Sequence, residues 1–202
     1  MRYETKWHEY AAHWNAMVIG PSHQHELDHA ASTLLAEKSS FQSASAAIWD
    51  VQNQTRFSAI PWYMIAIILW RERDLSVPLL EAYLGNGQSI RHRTTIEPRG
   101  RGPFPTFNAG CIDAVKIDGL DRVLDWRLEK ILYYCEVLNG AGYNNRGVPS
   151  PYIWSFTSQY ARGKYDYDGH YNYSLVDPQP GCAALLSTLA KLDKTIIFVR
   201  ED

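Results

Sequence analysis

The sequence predicts a mainly helical (mainly α, α+β) domain in which helices surround one buried central helix and a small β-hairpin. Apolar residues recur at helical spacing through the N-terminal half. One of these segments, residues 62–70, is apolar on every side, which is typical of a helix in the centre of a domain. The dipeptide Asn86-Gly87 then marks a tight hairpin turn.

The first three helices follow in order along the N-terminal half. Residues 25–37 and 41–51 each carry an apolar stripe at helical spacing, which predicts two amphipathic helices. A third helix is expected to begin at Pro61, since proline suits the first turn, and to end in RERD, residues 71–74. The segments around Asn86-Gly87 are short and interrupted by Pro and Gly, so a small hairpin and a long loop are expected there.

Helical spacing returns in the C-terminal half. Asn139-Gly140 is a natural stop for one of these helices, because glycine often ends a helix. The predicted helices cover residues 109–117, 120–140, 152–160 and 182–192, with a loop at 162–181. The stripe of the second is Val123, Leu124, Leu128, Ile131, Leu132, Cys135 and Leu138.

Length and charge exclude several classes of protein. The 202 residues are 46% hydrophobic, so we expect a single globular domain over residues 1–202. The formal net charge is -2 and the charges are interspersed, so a nucleic acid partner is not expected. The three cysteines are odd in number and far apart, which favours buried free thiols over disulfides.

Two observations bear on membranes and export. The longest apolar run, residues 60–70, is too short to cross a bilayer core of about 30 Å as a helix, so no stable membrane insertion is expected. The N-terminus lacks the apolar core of a secretory signal. We therefore expect synthesis in the cytoplasm without a signal peptide.

The stretch HELDH, residues 25–29, matches the His-Glu-x-x-His signature of zinc peptidases. On a helical wheel, the apolar face of this segment is centred near Leu27 and Leu34, and His25 and His29 fall on the opposite, solvent side. A catalytic zinc ion also needs a third protein ligand, and no convincing one follows. The motif is interpreted as the polar face of a helix, and no metal or organic cofactor is expected.

Glu72 is the more interesting acid. It stands at the C-terminal end of the apolar helix, where burial and the negative helix end both favour a protonated carboxyl. Glycosidases use such a carboxyl to protonate the glycosidic oxygen near neutral pH. The neighbours Arg71 and Arg73 also permit the more ordinary role of a solvated ion pair.

The run from residue 60 to 104 resembles a lysozyme-like family of peptidoglycan hydrolases from phages and bacteria. In that family a Pro-Trp-Tyr apolar helix ends in the catalytic glutamate, and a Leu-x-Asn-Gly hairpin and a Gly-Arg-rich loop follow. More distantly, the chain is similar to goose-type lysozymes and lytic transglycosylases. Other stretches occur in the family's order, so the resemblance covers nearly the whole chain: YAAHWNAMVI upstream, then CIDAV, WRLEKILYYCEVLNGAGYNNRGVPSPYIWSF, YARGKYDYDGHY and QPGCAALL.

The resemblance implies a lysozyme-like fold and cleavage of peptidoglycan glycan strands between N-acetylmuramic acid and N-acetylglucosamine. It implies that Glu72 is the general acid and that residues 139–147 form a turn lining the sugar groove. Aromatic residues suit such a groove because sugar rings stack on them, although each could equally serve core packing. The implied substrate-binding residues are Asn86, Thr94, Tyr143, Tyr152, Trp154, Tyr160 and Tyr165.

The second catalytic group is left open. Relatives tend to have a histidine where this chain has Leu69 and an aspartate where it has Gln88. Either Thr94 or Thr95 could position the attacking water in place of a second carboxylate. The conceivable carboxylate partners of Glu72 are Glu97, Asp113, Asp166 and Asp168.

The sequence leaves three functional classes open: a glycan-cleaving enzyme, a non-catalytic module and a zinc peptidase. Hydrolysis by a monomeric muramidase is favoured over lytic transglycosylation, which leaves an anhydro product. A non-catalytic peptidoglycan-binding or structural module is the second class, and a zinc peptidase is the third. The resemblance implies action on the cell wall after holin-dependent release, as part of a phage particle, or by injection.

Overall fold

A computed structural model describes residues 7–51, 57–140, 142–167 and 169–199. Within these ranges the chain is mainly helical with a small antiparallel sheet, which confirms the predicted fold class at that level. None of the described helices has both the length and the apolar character needed to span a membrane. The helices are α1 (Trp7–Ala16), α2 (Gln24–Ala36), α3 (Lys38–Val51), α4 (Trp62–Glu72), α5 (Phe107–Ile117), α6 (Leu128–Asn139), α7 (Gly142–Arg146), α8 (Pro151–Trp154) and α9 (Cys182–Leu192), and the strands are β1 (Lys164–Tyr167) and β2 (His170–Asn172).

The chain packs into two compact units. The middle unit is Thr33–Trp126, and the terminal unit combines Met1–Ser32 with Arg127–Asp202. The prediction that residues 1–202 form one domain stays a prediction.

The middle unit is built around α4. Every residue from Met64 to Trp70 is buried, as the wholly apolar sequence predicts. Burial of each large aliphatic side chain contributes roughly 1.5–3 kcal/mol, so this helix is the main hydrophobic element of the unit. Pro61 is the N-cap rather than the first helical residue, and α4 ends at Glu72. Helix α3 packs against both α4 and α5.

The terminal unit is a second helical cluster. Helix α1 packs against α6, while α6 and α8 pack against α9. Helix α9 has the apolar composition of a core element, and its residues from Cys182 to Leu186 are buried. Helix α6 ends at Asn139 and is capped by Gly140 with a φ of 82°, which confirms the predicted stop. All three cysteines of the chain are buried and free, as predicted.

The prediction of one long helix over residues 120–140 was wrong for residues 120–127. A short 3₁₀ turn occupies Leu120–Arg122, and α6 begins only at Leu128. The carbonyls of Val123 and Leu124 instead accept hydrogen bonds from Ser58, so they are not free to continue a helix. Leu124, expected in the buried stripe, is 61% exposed.

The predicted hairpin around Asn86-Gly87 is reduced to one bridge, between Ala82 and Ser89. The turn itself is present, but the residues that follow it form side-chain hydrogen bonds rather than a β-ladder. The regular antiparallel pair is β1–β2, in the stretch that was expected to be a loop. The sequence between the two tyrosine-rich segments includes Asp168-Gly169, a hairpin signal that the sequence prediction did not use.

The helix predicted over residues 152–160 is limited to the four residues of α8. Ser155 leaves the helical conformation, and Phe156 has a φ of 69°, which a helix does not accommodate. The hydroxyl of Ser155 donates to the carbonyl of Gln179, so a contact with a distant segment replaces helix continuation.

Candidate functional site

The HELDH segment lies on α2 as predicted. His25, Glu26 and His29 are exposed, whereas Leu27 and Ala30 are fully buried. The helical wheel therefore placed both faces correctly. Among the described residues, no three His, Cys, Asp or Glu side chains come together in a way that could hold a metal ion.

Glu72 is half-buried at the last position of the buried helix α4. Its neighbour Trp70 is buried, and the guanidinium carbon of Arg73 lies 4.0 Å from the centre of the Trp70 ring. Burial lowers the pKa of Arg73, and the ring face provides a cation–π contact for its charge. Glu72 thus stands at the end of a buried helix, between the two members of an aromatic–arginine pair in the sequence.

The Asn86-Gly87 turn packs directly against this helix end. Gly87 has a φ of 71°, and a Cβ at this position would lie 1.9 Å from the carbonyl oxygen of Glu72 and 2.6 Å from Cα of Arg73. Only glycine allows both the left-handed conformation and the close backbone approach. The carbonyl of Tyr83 accepts a 2.8 Å hydrogen bond from the Gly87 N–H and closes the turn.

Two amide side chains hold the loop that follows this turn. Asn86 donates from Nδ2 to the carbonyl of Ile96 at 3.1 Å and accepts from the N–H of Gln88 at 3.2 Å. Gln88 donates from Nε2 to the Thr95 hydroxyl at 2.9 Å and accepts from the Thr95 N–H at 2.7 Å. The side chain of Gln88 therefore acts as a bridge across the loop.

Thr94 is 5% exposed and is also bound within the loop. Its hydroxyl donates to the carbonyl of Pro98 at 2.5 Å and accepts from the N–H of Arg101 at 2.9 Å. Its backbone N–H donates to the Arg101 carbonyl at 2.9 Å. Both predicted polar site residues of the middle unit, Asn86 and Thr94, use their side chains to fix the loop.

Asp113 lies at the centre of a polar cluster of this unit. The Arg101 guanidinium donates to both of its carboxylate oxygens, with Nε 3.0 Å from Oδ2, and the Tyr83 hydroxyl donates to Oδ2 at 2.8 Å. Burial opposes ionisation of Asp113, but the hydrogen bonds from Arg101 and Tyr83 outweigh it and hold its pKa below the ordinary value. Burial and the bond to Asp113 raise the pKa of Tyr83. Asp113 is thus an ionised structural carboxylate.

The other candidate second carboxylates lie in different settings. Glu97 is 82% exposed in its side chain and forms an ion pair with Arg99 at 3.3 Å. Asp166 is on strand β1 of the terminal unit, where its Oδ1 lies 2.6 Å from Nδ1 of His170 and this hydrogen bond lowers its pKa. Asp168 lies outside the described residues.

Three of the predicted aromatic groove residues are buried in the terminal unit. Tyr143, Tyr152 and Trp154 are 6%, 5% and 2% exposed, so their rings pack mainly in the core. The edge of Trp154 lines a cleft of about 210 Å³ together with Tyr10, His13 and Glu136. Tyr160 lines a second cleft of about 320 Å³, and its hydroxyl accepts from the Asp177 N–H at 3.1 Å.

Tyr165 belongs to a group that we call the tyrosine cluster. Ring centres are 5.1 Å apart for Tyr143 and Tyr165, 5.3 Å for Tyr165 and Tyr171, and 4.9 Å for Tyr171 and Tyr173, all edge to face. The guanidinium carbon of Arg146 lies 4.5 Å from the Tyr171 ring centre, and its Nη1 donates to the Tyr173 hydroxyl at 3.2 Å. The tyrosine cluster consists of Tyr143, Tyr165, Tyr171 and Tyr173 with Arg146.

The sequence prediction missed Arg146, Tyr171 and Tyr173. The alternation of tyrosines around Asp168-Gly169 would have placed several rings on one hairpin, had this stretch been assigned as strands. The partner of the hairpin, Arg146, comes from α7 and has no separate signal in the sequence.

Comparison of this chain with protein-family models, with curated proteins and with solved structures finds no match. The assignment of the candidate site consequently rests on the geometry of its residues. In the middle unit, that geometry brings the Gly87 turn to the helix end that carries Glu72. In the terminal unit, it brings Tyr143 and Tyr165 together, whereas Tyr152 is buried and Trp154 and Tyr160 line two separate clefts.

Proposed function

We propose that this chain cleaves peptidoglycan glycan strands at the bond between N-acetylmuramic acid and N-acetylglucosamine, with Glu72 as the general acid. The observation that carries the proposal is the position of Glu72. It is half-buried at the end of a buried helix, with a glycine turn closed against its backbone carbonyl. We also propose that the fold is lysozyme-like, and the buried central helix α4 supports this.

The chemistry requires a carboxyl that is both held rigidly and reachable by substrate. Helix α4 and the Gly87 turn hold the backbone of Glu72, while the half-buried state leaves part of its side chain accessible. Glu72 would donate its proton to the glycosidic oxygen as the bond to the leaving sugar breaks, and no metal or organic group takes part in that step.

Hydrolysis is the preferred outcome within this proposal. The oxygens of Asp113 are bound by Arg101 and Tyr83, so Asp113 is poorly suited to attack a sugar carbon. We propose water as the nucleophile, which leaves a reducing end. Attack by the sugar's own hydroxyl, as in lytic transglycosylases, would give an anhydro end.

Substitution Glu72→Gln tests the proposal. General acid catalysis contributes roughly 10²–10⁴-fold, so we expect a loss of that size in release of soluble muropeptides from purified cell walls. Glu26→Gln is the matched control, because Glu26 is an exposed helical glutamate and would be the catalytic base of a zinc peptidase. This control is expected to retain full activity.

Mass analysis of the released products separates the alternatives. Reducing ends indicate hydrolysis, anhydro ends indicate transglycosylation, and cleaved peptides with loss of activity on chelation indicate a zinc peptidase. Wall binding without release of products indicates a non-catalytic module. The proposal fails if folded Glu72→Gln digests walls at the rate of the unmodified protein.

A further inference from the structure

Arg146 is an exposed cation without a carboxylate partner among the described residues. Two other basic residues of the terminal unit are each placed beside an aspartate. Lys164 Nζ lies 3.8 Å from the buried Asp177, and His170 lies against Asp166. Among the described residues, the positive charge of the tyrosine cluster is therefore not compensated by a carboxylate.

The guanidinium of Arg146 is oriented but not saturated. An arginine has five N–H donors, and the contacts of Arg146 use two nitrogens, Nη1 toward Tyr173 and Nε toward Tyr165 at 3.5 Å. Ring contacts with Tyr165, Tyr171 and Tyr173 fix the plane of the group. Nη2 therefore keeps its donors for an oxyanion from solution.

The ring beside this guanidinium is open to a ligand. Tyr173 is 68% exposed, so its face can stack on a sugar ring while Arg146 binds a charged substituent of that sugar. A single planar guanidinium matches a single planar carboxylate. A polyphosphate carries several negative charges close together, and the tyrosine cluster offers it a single guanidinium.

We propose that the tyrosine cluster binds a sugar unit that bears a free carboxylate. The identity of this unit rests on the proposed function: it is N-acetylmuramic acid whose lactyl carboxylate is not linked to peptide. Such units arise when an amide bond between the lactyl group and the stem peptide is hydrolysed. The cluster would thus direct the protein to glycan strands from which an amidase has removed the peptides.

Binding of peptide-free glycan strands tests this inference. The strands are used with free lactyl carboxylates and, in parallel, after the carboxylates have been coupled to methylamine to give neutral amides. Titration calorimetry in the Glu72→Gln background prevents turnover. A charge-assisted hydrogen-bonded pair contributes enough for about tenfold tighter binding of the carboxylate form.

Arg146→Gln is expected to remove this preference, so that carboxylate and amide strands bind equally. Arg162→Gln is the matched control, because Arg162 is an exposed arginine of the same unit that lies outside the cluster. It should retain the tenfold preference. Circular dichroism melts of both variants check that each is folded, and Arg146→Lys provides a second, charge-retaining variant with an intermediate preference.

Three results would overturn the inference. The first is equal binding of carboxylate and amide strands by the parent protein, and the second is an equal carboxylate preference in Arg146→Gln and Arg162→Gln. The third is competition by a glycerol phosphate polymer that exceeds competition by carboxylate strands. Product release by the unmodified protein is measured separately. Binding that depends on Arg146 without any product release would contradict the proposed function and leave this inference standing, whereas release without carboxylate preference would do the reverse.

Discussion

The loop after α4 in the middle unit and the β1–β2 hairpin in the terminal unit use polar side chains in opposite ways. In the loop, Asn86, Gln88 and Thr94 form hydrogen bonds within the loop itself. On the hairpin side, Tyr173 is exposed and Arg146 retains donors that no described residue uses. The polar groups of the loop bond to one another, whereas the tyrosine cluster keeps donors that can bind a ligand.

This difference separates scaffolding from recognition. A loop whose side chains are satisfied internally can hold a backbone turn against a helix end with little freedom. A surface with oriented but unused donors is prepared to exchange water for a ligand. Substitutions in the loop should therefore change stability, whereas substitutions in the cluster should change binding.

The largest effect is expected for Gly87→Ala. Its Cβ would overlap the Glu72 carbonyl oxygen, which is backbone and cannot rotate away. We expect about 3 kcal/mol or more of destabilisation, measured by urea unfolding, together with loss of activity. Gly100→Ala is the control, because Gly100 has a similar φ of 74° but nothing within 4 Å of its Cβ position. It should cost only about 1 kcal/mol, the strain of the left-handed conformation. Equal losses in the two variants would show that close approach to Glu72 is unimportant.

A smaller effect is expected for Asp113→Asn, which weakens the bonds to Arg101 and Tyr83 in the middle unit. The expected destabilisation at pH 7 is about 2 kcal/mol, since a charge-assisted network is lost at a half-buried site. Glu81→Gln, which breaks the more exposed pair of Glu81 and Arg91, is the control and should destabilise the protein clearly less, because solvent screens an exposed ion pair. Urea midpoints of both variants measure the difference.

The contacts of Asp113 with Arg101 and Tyr83 also predict that stability depends on pH. Because folding lowers the pKa of Asp113, its contribution to stability is complete above the ordinary value of 3.8 and is lost as the pH falls through the lowered pKa of the folded chain. The stability gap between the unmodified protein and Asp113→Asn should therefore be constant from pH 7 to about pH 5 and should shrink below about pH 4. A gap that stays the same at pH 3 would contradict an ionised, hydrogen-bonded Asp113.

The smallest effect on stability is expected for Tyr173→Ala. Its ring is largely exposed, so the free energy of unfolding should change by no more than about 0.5 kcal/mol. Binding of peptide-free glycan strands should weaken about fivefold, the equivalent of roughly 1 kcal/mol for an aromatic stacking contact. Tyr167→Ala is the control: Tyr167 is 66% exposed on the same hairpin but stacks on His170 instead of contacting Arg146. Loss of binding in both variants alike would remove the special role of the cluster.

Helices with strong periodicity could be predicted from the sequence, and segments defined by distant partners could not. The apolar residues of α4 and α9 predicted buried helices because their burial follows from composition alone. Residues 120–127 have the same periodicity but are not α-helical, since Ser58 takes the carbonyls of Val123 and Leu124. No local pattern reports a hydrogen bond to a residue more than sixty positions away.

The candidate site divides in the same way. Glu72 could be singled out because a carboxylate that ends an apolar helix is visible in the sequence. The roles of Asn86 and Thr94 could not, because a polar side chain that binds substrate and one that binds its own loop have the same sequence. Among the aromatic residues, composition indicated a groove, but only packing separated the buried Tyr152 from the exposed Tyr173.

By itself, the sequence determined that the protein is mainly helical, that α4 is buried, that HELDH faces solvent, and that Glu72 ends the central helix. These features depend on periodicity and on end positions, which are local properties of the chain. The tertiary structure alone decided that Gly87 closes against Glu72 and that Arg146 meets three tyrosine rings. Both are contacts between segments separated along the chain, and such contacts exist only after the backbone has folded.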